Sequence, residues 1–340
     1  MLPISLRITV IVIATHRTAF LKQALASVLN QDVDPACYEI ILIKNYVDDS
    51  LDSELRELAS GRPFKIITTA SELLGKKVVE ASHYSSGSIV SFLDDDDIWE
   101  SFKLKSVLEF FDKYDDLVYL HNDQSVIDVD GNIKSFLRFR PTRGQIPIEC
   151  GDWILRMKCF LRNRADFNGS SISLLRDIVV TNEKVLSEIN SPVDSYLFYF
   201  ALKSGGRILI DSRKLTRYRV SDTSLSLAGR LDGPGFFKNR CNYHMLQAQS
   251  FEDLKTLSKS DPVGHVMASI QSLNHSILAT VYGQKTPKRI MVSYLRSWIL
   301  SSLKYRLVYE PTVFLLGATY VFSARLSARF SYVIDRARWL

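Results

Sequence analysis

Short apolar runs alternate with helical patterns along the first part of the chain. The run Ile8–Ala14 is continuous and rich in β-branched residues, as is typical of a strand covered on both faces. Apolar residues then recur at helical spacing from Phe20 to Leu29, with Thr18 as the expected N-cap. The alternation continues with two helices, Leu51–Leu58 and Leu74–Tyr84, and three strands, Tyr38–Ile43, Phe64–Thr68 and Ile89–Leu93. This order predicts an α/β fold with a mainly parallel sheet flanked by helices.

The pattern becomes less regular beyond Leu117. Asp130-Gly131 predicts a hairpin turn. Around it we expect one helix, Ser195–Lys203, and four strands, Leu117–Leu120, Val126–Asp128, Ile133–Leu137 and Arg207–Asp211. Gly229–Gly235 contains one proline and three glycines, and only helical patterns follow it. We therefore expect an α/β domain over residues 1–230 and a helical region over residues 231–340.

Composition narrows the class of protein. The chain has 340 residues, 46% hydrophobic and 24% charged, which is globular and long enough for about two domains. Its four cysteines show no CxxC spacing, as fits a reducing compartment. The apolar run at Ile8 has only seven residues and leads into Thr15-His16-Arg17, which is unlike a secretory leader. The sequence therefore predicts a cytoplasmic location.

The net charge of +6 is unevenly distributed. Residues 284–340, called the tail below, contain ten basic and two acidic residues, a net charge of +8. The first 283 residues consequently carry a net charge of −2. Basicity belongs to the tail, while the body is mildly acidic.

Four consecutive carboxylates, Asp94 to Asp97, follow directly on the apolar strand Ile89–Leu93. Ligands of open α/β sheets bind at the carboxyl ends of such strands. A hard divalent cation would neutralise the cluster and could bridge to phosphate oxygens. The alternative is a solvated acidic turn that also caps a helix beginning near Lys103.

Four ordered pieces of the chain resemble family 2 glycosyltransferases of the GT-A fold. ITVIVIATHRTAFLKQALASVLNQ resembles the opening strand, loop and helix of that family, and YEIILI its second strand. GSIVSFLDDDDIW is similar to its Asp-x-Asp stretch, and VDSYLFYFALKSGGRILIDSRKLTRYRVSDTSLS to the block that carries its base. The resemblance covers about residues 5–227 and implies an inverting, nucleotide-sugar-dependent enzyme with a GT-A catalytic domain over residues 1–230.

The resemblance implies a metal and nucleotide site. Asp94 would lie near the nucleotide ribose, Asp96 would hold Mg²⁺ or Mn²⁺ on the diphosphate, and Asp95 is an additional nucleotide-binding candidate. The remaining candidates for nucleotide-sugar binding are Thr15, His16, Arg17, Asn45 and Lys76. Asn45 stands where the family usually has an Asp that reads the base, so UDP- and GDP-sugars both remain open. For Arg17 and Lys76 the alternatives are an ion pair with Asp48 or Asp49 and a solvated lysine.

The resemblance points to Asp194 as the general base. Inverting transfer needs a carboxylate that takes the proton of the acceptor hydroxyl. Asp194 precedes an apolar helix, so the alternative is an ordinary N-cap.

Two departures from the family qualify this expectation. Tyr218-Arg219-Val220-Ser221 has Ser221 where the family has a His near the metal, which weakens the expected metal dependence. No Gln-x-x-Arg-Trp follows the base block, and Arg338-Trp339 lacks the glutamine. The transfer of one sugar per encounter is therefore favoured over processive synthesis.

The tail interleaves apolar and basic residues. Ile290–Tyr309 contains three basic residues between its apolar and aromatic ones, and Thr312–Phe322 is too short for a membrane span of roughly 20 residues. Helices of this kind can lie on an anionic membrane surface. The alternative is a helical subdomain that packs on the catalytic domain or on a second subunit in a homodimer.

The sequence therefore predicts transfer of a single sugar to a hydroxyl of a glycan or lipid-linked acceptor. A phosphatase of the Asp-x-Asp-x-Thr type is disfavoured because Ile98 occupies the Thr position. Nucleotidyl transfer is disfavoured because no Gly-rich loop follows Ile8–Ala14, and nucleic-acid binding has only the tail charge in its favour. A non-catalytic nucleotide-binding or scaffold module remains the alternative.

Overall fold

The computed structural model describes residues 7–15, 18–134, 145–148, 153–220 and 235–339. These residues form two compact units. The sheet unit contains the described residues up to Lys134, then 145–148 and Ala165–Arg219. The helical unit contains 153–164, Val220 and 235–339.

Ten strands belong to the sheet unit. They are β1 Ile8–Ala14, β2 Tyr38–Lys44, β3 Phe64–Thr68, β4 Ile89–Asp94, β5 Ile98–Trp99, β6 Leu117–Ile127, β7 Ile133–Lys134, β8 Gln145–Ile148, β9 Ile172–Leu175 and β10 Arg207–Arg219. Thirteen helices are described in the same ranges of the chain. They are α1 Leu21–Leu29, α2 Asp49–Leu58, α3 Leu74–His83, α4 Lys103–Lys113, α5 Trp153–Asn163, α6 Arg176–Thr181, α7 Glu183–Leu186, α8 Val193–Ser204, α9 Phe236–Leu257, α10 Pro262–Tyr282, α11 Lys288–Tyr305, α12 Pro311–Phe322 and α13 Ala324–Trp339.

All ten strands join one sheet: eight follow the order β3-β2-β1-β4-β9-β6-β10-β5, while β7 pairs with β6 and β8 pairs with β10. Strands β1 to β4 are mutually parallel, and β10 is parallel to β6. β9 is antiparallel to both β4 and β6, and it joins the two parallel groups. β1 and β2 are buried along their whole length, as their continuous apolar runs predicted. The predicted mainly parallel sheet flanked by helices is thereby confirmed.

Three local predictions are wrong. α1 has Phe20 as its N-cap, without a side-chain hydrogen bond, so Thr18 does not cap it. The two short strands predicted after Leu117 are a single strand, β6, and the strand predicted at Arg207–Asp211 continues to Arg219 as β10. Polar residues interrupt the apolar pattern of β6, but they stay in the sheet because buried partners satisfy them. Asn122 bonds to Thr216, and the Gln124 side chain accepts from Ser171.

The described part of the helical unit is built around α9 and α10. Helix α5, from the middle of the chain, also belongs to this unit, which the sequence pattern did not indicate. The predicted boundary at Gly229–Gly235 stays a prediction, since residues 229–234 lie outside the described residues. Every described element beyond Gly235 is helical, as expected.

The tail supplies part of the core of the helical unit. Met291, Val313 and Leu316 pack with Ile277 and Val281 of α10. Other apolar tail residues, among them Leu303 and Phe322, are exposed. Among the described residues, no helix combines the length and apolar character needed to cross a membrane.

Candidate nucleotide-sugar site

The acidic loop Asp94–Asp97 begins where β4 ends, beside the carboxyl end of β1. Because β1 and β4 are parallel neighbours, Thr15 after β1 reaches the loop. Its backbone N–H donates to Asp95 Oδ2 at 2.8 Å, and its hydroxyl donates to the same oxygen at 3.3 Å. Asp95 is completely buried. The structure therefore brings together Thr15 and Asp95, two residues predicted for the nucleotide site.

Arg219, the last residue of β10, fixes the other end of the loop. Its backbone N–H donates to Asp97 Oδ1 at 2.8 Å, and its guanidinium Nε donates to the carbonyl oxygen of Asp96 at 2.8 Å. The guanidinium also donates to the carbonyls of Asp128 and Val129 and lies 4.2 Å from the centre of the Phe20 ring. Arg219 is almost fully buried, so it acts as an internal cation that holds the loop in place.

A second buried cation, Lys103, lies behind the loop. Its ammonium donates to Asn122 Oδ1 at 2.8 Å and to the carbonyl of Ser170 at 2.6 Å. Burial lowers the pKa of Lys103 well below its ordinary value, and the charge of Asp97 opposes that shift. Burial raises the pKa of Asp97 well above its usual range, and the charges of Asp96 and Asp94 raise it further. Asp97 is thus an interior residue of the site.

The solvated-turn interpretation of the four aspartates is wrong. Asp95, Asp96 and Asp97 are buried, and Asp94 alone of the four is partly exposed. Helix α4 has Phe102 as its N-cap, with no side-chain capping bond, so the loop does not cap it. The loop is shielded from water because it packs against β10 and Thr15. These contacts come from distant parts of the chain, so the local sequence of the turn does not indicate them.

The chemistry of the loop suits a hard divalent cation. Carboxylate oxygens are the ligands that Mg²⁺ and Mn²⁺ prefer. The negative charges of Asp96 and Asp94 also raise the pKa of the neighbouring Asp97. Within residues 7–15, 18–134, 145–148, 153–220 and 235–339, no three His, Cys, Asp or Glu side chains converge as a ligand set. The residues of the loop that would hold such a cation are Asp94 and Asp96.

The predicted base-reading position Asn45 lies just after β2, in a polar cluster. Its side-chain amide donates to Glu72 at 2.6 Å, and its oxygen accepts from Lys77 Nζ at 2.8 Å. Lys77 is fully buried, and burial lowers its pKa while the charges of Glu72 and Asp95 act in the opposite direction. Lys76, the lysine singled out from sequence, is exposed on α3. The lysine that belongs to the cluster is Lys77, the neighbour of Lys76.

Lys77 also links this cluster to the acidic loop. Its ammonium donates to the carbonyl oxygen of Ala14 at 3.3 Å, next to Thr15. Burial, followed by the charge of Asp95, raises the pKa of the nearby Tyr46 hydroxyl to about 12. His16 and Arg17, the other two predicted residues of the loop after β1, lie outside the described residues, as does Ser221.

Asp194 lies in the first turn of α8, and its carboxylate accepts two backbone hydrogen bonds. Asn168 N–H donates to Oδ2 at 2.9 Å, and Ser195 N–H donates to Oδ1 at 2.9 Å. The N-cap of α8 is Pro192, so the capping interpretation of Asp194 is wrong. Burial of the carboxyl, followed by the negative charge of Asp166, raises the pKa of Asp194 to about 6, although the two hydrogen bonds act in the opposite direction.

One short turn connects Asp194 to the acidic loop. Asn168, which has a positive φ of 68°, donates its N–H to Asp194, and two residues later the Ser170 hydroxyl accepts the N–H of Asp94 at 3.0 Å. The Ser170 carbonyl also accepts from Lys103 and from the Trp99 indole. The segment Asn168–Ser170 therefore holds the carboxylate of Asp194 and the backbone of Asp94, two residues 100 positions apart in sequence.

Sequence reasoning missed most of these supporting residues. Arg219 belongs to the motif Tyr218-Arg219-Val220-Ser221, and Lys77 directly follows Lys76. That motif and the pair of adjacent lysines are the sequence signals that could have identified these two residues. Asp166, Asn168 and Ser170 sit in an irregular segment, and no local pattern distinguishes them. Only the folded chain assigns their partners.

Comparisons with known proteins agree with this geometry. Residues 9–173 match the family model described as Glycosyl transferase family 2. A relative from Nostoc sp. (strain PCC 7120), described as an uncharacterized glycosyltransferase alr2836, is 29% identical over 133 residues. That match spans 38% of this chain and 39% of the relative, so the chain matches about two fifths of the relative's length.

Solved structures share the fold. Crystal structures of S. aureus TarS 1-349 superpose with a TM-score of 0.53 for the complex with UDP-GlcNAc and 0.50 for the structure without a named ligand. Both are 15% identical and cover 96% of this chain and 89% of TarS 1-349. At this identity the likeness concerns the fold alone.

The sheet and its order, with carboxylates at the ends of its strands, define an α/β fold of the GT-A type. The family match adds that residues 9–173, just under half of the chain, are similar to family 2 glycosyltransferases.

Proposed function

We propose that this chain transfers a single sugar from a nucleotide-sugar donor to a hydroxyl of a glycan or lipid-linked acceptor, with inversion at the anomeric carbon. The observation that carries the proposal is the turn Asn168–Ser170, because it holds both Asp194 and the start of the acidic loop. A donor diphosphate at the loop and a base at Asp194 are the two functions that such a transfer needs.

Asp194 is the proposed general base. The acceptor oxygen forms its bond to the anomeric carbon while its proton passes to the Asp194 carboxylate. The bond from that carbon to the diphosphate breaks, and the nucleoside diphosphate leaves with the electron pair. A carboxyl with a pKa of about 6 is mostly ionised at neutral pH, yet it is more basic than an ordinary aspartate.

The donor site is proposed at the acidic loop and the Asn45 cluster. Asp94 and Asp96 would hold Mg²⁺ or Mn²⁺, which supplies positive charge to the leaving diphosphate when bound. Asn45 would contact the nucleotide and is positioned by the buried Lys77, with Thr15 and Asp95 beside the site. TarS was crystallised with UDP-GlcNAc, which favours a UDP-sugar over a GDP-sugar.

The test measures nucleoside diphosphate release from a panel of UDP- and GDP-sugars, each with Mn²⁺ and with chelator. Donor hydrolysis needs no knowledge of the acceptor. We expect slow release from one donor, suppressed by chelator and by Asp96→Ala. Asp194→Asn should lower turnover by roughly a factor of a hundred to ten thousand. The same donor should raise the melting temperature of both wild type and Asp194→Asn.

Asp177→Asn is a matched control for this experiment. Asp177 holds the same second position in the first turn of α6, but it is exposed and lies on a different helix. This variant should keep wild-type turnover. Donor binding without any release, equal in wild type and Asp194→Asn, would instead identify a non-catalytic nucleotide-binding module.

A further inference from the structure

Helix α11 of the tail has apolar side chains on two adjoining faces. Its inner face contributes Met291, Leu295 and Trp298 to the core of the helical unit. On the adjoining face, Val292, Ile299 and Leu303 are spaced at i, i+7 and i+11, so they share one helical face. These three side chains are 51%, 43% and 71% exposed. The protein core therefore explains only one of the two apolar faces.

Helix α13 repeats the pattern. Leu326, Phe330 and Val333 are spaced at i, i+4 and i+7 and are all exposed. Phe322, which ends α12 between these helices, is 85% exposed. We call the sets Val292/Ile299/Leu303 and Leu326/Phe330/Val333 the two apolar stripes. Exposed apolar residues scattered singly are ordinary, but a regular stripe along a helix indicates a binding surface.

The charges beside the stripes are of one sign. Arg296 lies between Val292 and Ile299 on the same face of α11, and Lys304 follows Leu303. Arg325 and Arg329 alternate with the stripe of α13. The tail has only two carboxylate side chains, and one of them, Asp335, is buried 3.4 Å from Arg240. The exposed charges described on α11 and α13 are thus all basic.

We infer that the two apolar stripes bind an anionic lipid surface, with their apolar side chains at the level of the acyl chains and the neighbouring arginines among the headgroups. This is the geometry by which amphipathic helices lie in a membrane interface, and basic side chains add to the attraction. A second copy of this chain is the less suitable partner, because its own stripes are flanked by the same positive charge. The inference does not depend on the proposed transferase activity.

Vesicle flotation of the full chain tests the inference. We expect the protein to float with vesicles of phosphatidylcholine mixed with phosphatidylglycerol and to stay at the bottom with phosphatidylcholine alone. The triple variant Val292→Ser/Ile299→Ser/Leu303→Ser should lower the lipid partition coefficient by about a hundredfold or more, because burial of even one such side chain is worth roughly tenfold. The matching triple variant of the other stripe, Leu326→Ser/Phe330→Ser/Val333→Ser, should lower the lipid partition coefficient by a similar factor.

Controls separate the surface from general hydrophobicity and from misfolding. Ile133→Ser/Leu246→Ser removes two side chains of similar exposure elsewhere on the molecule and should leave flotation unchanged. Arg296→Glu/Arg329→Glu alters charge without touching the stripes, and it should lower binding to the anionic vesicles.

Three outcomes overturn the inference. The first is equal flotation of wild type and every stripe or charge variant, and the second is no flotation of the wild type with anionic vesicles. The third is a dimer in light scattering that the stripe variants convert to a monomer, since a second copy would then cover the stripes. Circular dichroism and melting temperature confirm that each variant is folded.

Discussion

The sheet unit and the helical unit differ in where the basic residues of interest lie. In the sheet unit, three buried basic side chains each contact a defined part of the candidate site: Lys77 reaches Asn45, Lys103 reaches Ser170, and Arg219 reaches the acidic loop. In the helical unit, Arg240 and Asp335 form a buried pair, and the basic residues of the tail are largely at the surface.

The difference separates two kinds of recognition. Buried charges cost free energy unless they are fully paired, so a cluster of them marks a site whose geometry must be exact. Exposed charges among exposed apolar side chains cost little and tolerate imprecise contact, which suits an extended surface. In the two proposals, the sheet unit accordingly binds a small ligand and the tail binds an extended surface.

Removal of the buried Arg219 is expected to have the largest effect of the substitutions that test this difference between the units. Arg219→Leu should lower the free energy of unfolding by about 3–5 kcal/mol, because buried carbonyls and the acidic loop lose their cation. Arg217→Leu is the control, since Arg217 lies on the same strand and pairs with Glu100 at a more exposed position; its loss should cost less than about 1 kcal/mol. Urea denaturation measures both, and equal losses would contradict a special role for Arg219.

The buried pair of the helical unit should be structural only. Asp335→Ala leaves Arg240 buried without its carboxylate and should cost about 3 kcal/mol of stability. Tyr282→Phe removes only the hydroxyl that donates to Asp335 and should cost about 1 kcal/mol. Neither variant should change the affinity for a nucleotide sugar, measured by calorimetry below the melting temperature. A large loss of affinity would contradict this division of roles.

The two adjacent lysines of α3 distinguish a site residue from a surface residue. Lys77→Met should weaken donor binding by about tenfold, because Asn45 loses its charged partner and Asp95 a nearby cation. Lys76→Met should leave the dissociation constant unchanged, since Lys76 is exposed. A larger loss of donor affinity in Lys76→Met than in Lys77→Met would instead support Lys76, the lysine predicted from the sequence, as the site residue.

The pH profile of kcat/KM tests the environment of Asp194. The shift expected in this profile is the smallest of the predicted effects. With a pKa of about 6, kcat/KM should fall tenfold per pH unit below about pH 6, where the base is protonated. Asp166→Asn removes a negative charge that raises the pKa of Asp194, so the ascending limb should move to lower pH, by up to about one unit. An unchanged limb would show that Asp166 does not influence the base.

Much of the sheet unit could be predicted because its strands are locally distinctive. Ile8–Ala14 and Phe64–Thr68 were predicted with their exact bounds, and the family motifs led to Asp194 and the acidic loop. β6 was divided in two because His121 to Ser125 are polar, and their buried partners are distant in sequence. The tail was predicted to be helical, but its pattern did not indicate which apolar side chains the core would cover.

By itself, the sequence determined the α/β order, the likeness to family 2 glycosyltransferases and the four carboxylates at the end of β4. These features depend on local periodicity and on motifs of fixed spacing, which every chain carries in its linear pattern. The tertiary structure alone decided that Lys77 and not Lys76 enters the site, that Arg219 and Ser170 hold the acidic loop, and that α11 keeps one apolar face exposed. Each of these depends on a partner from a distant part of the chain, and burial beside such a partner has no signature in the residues around it.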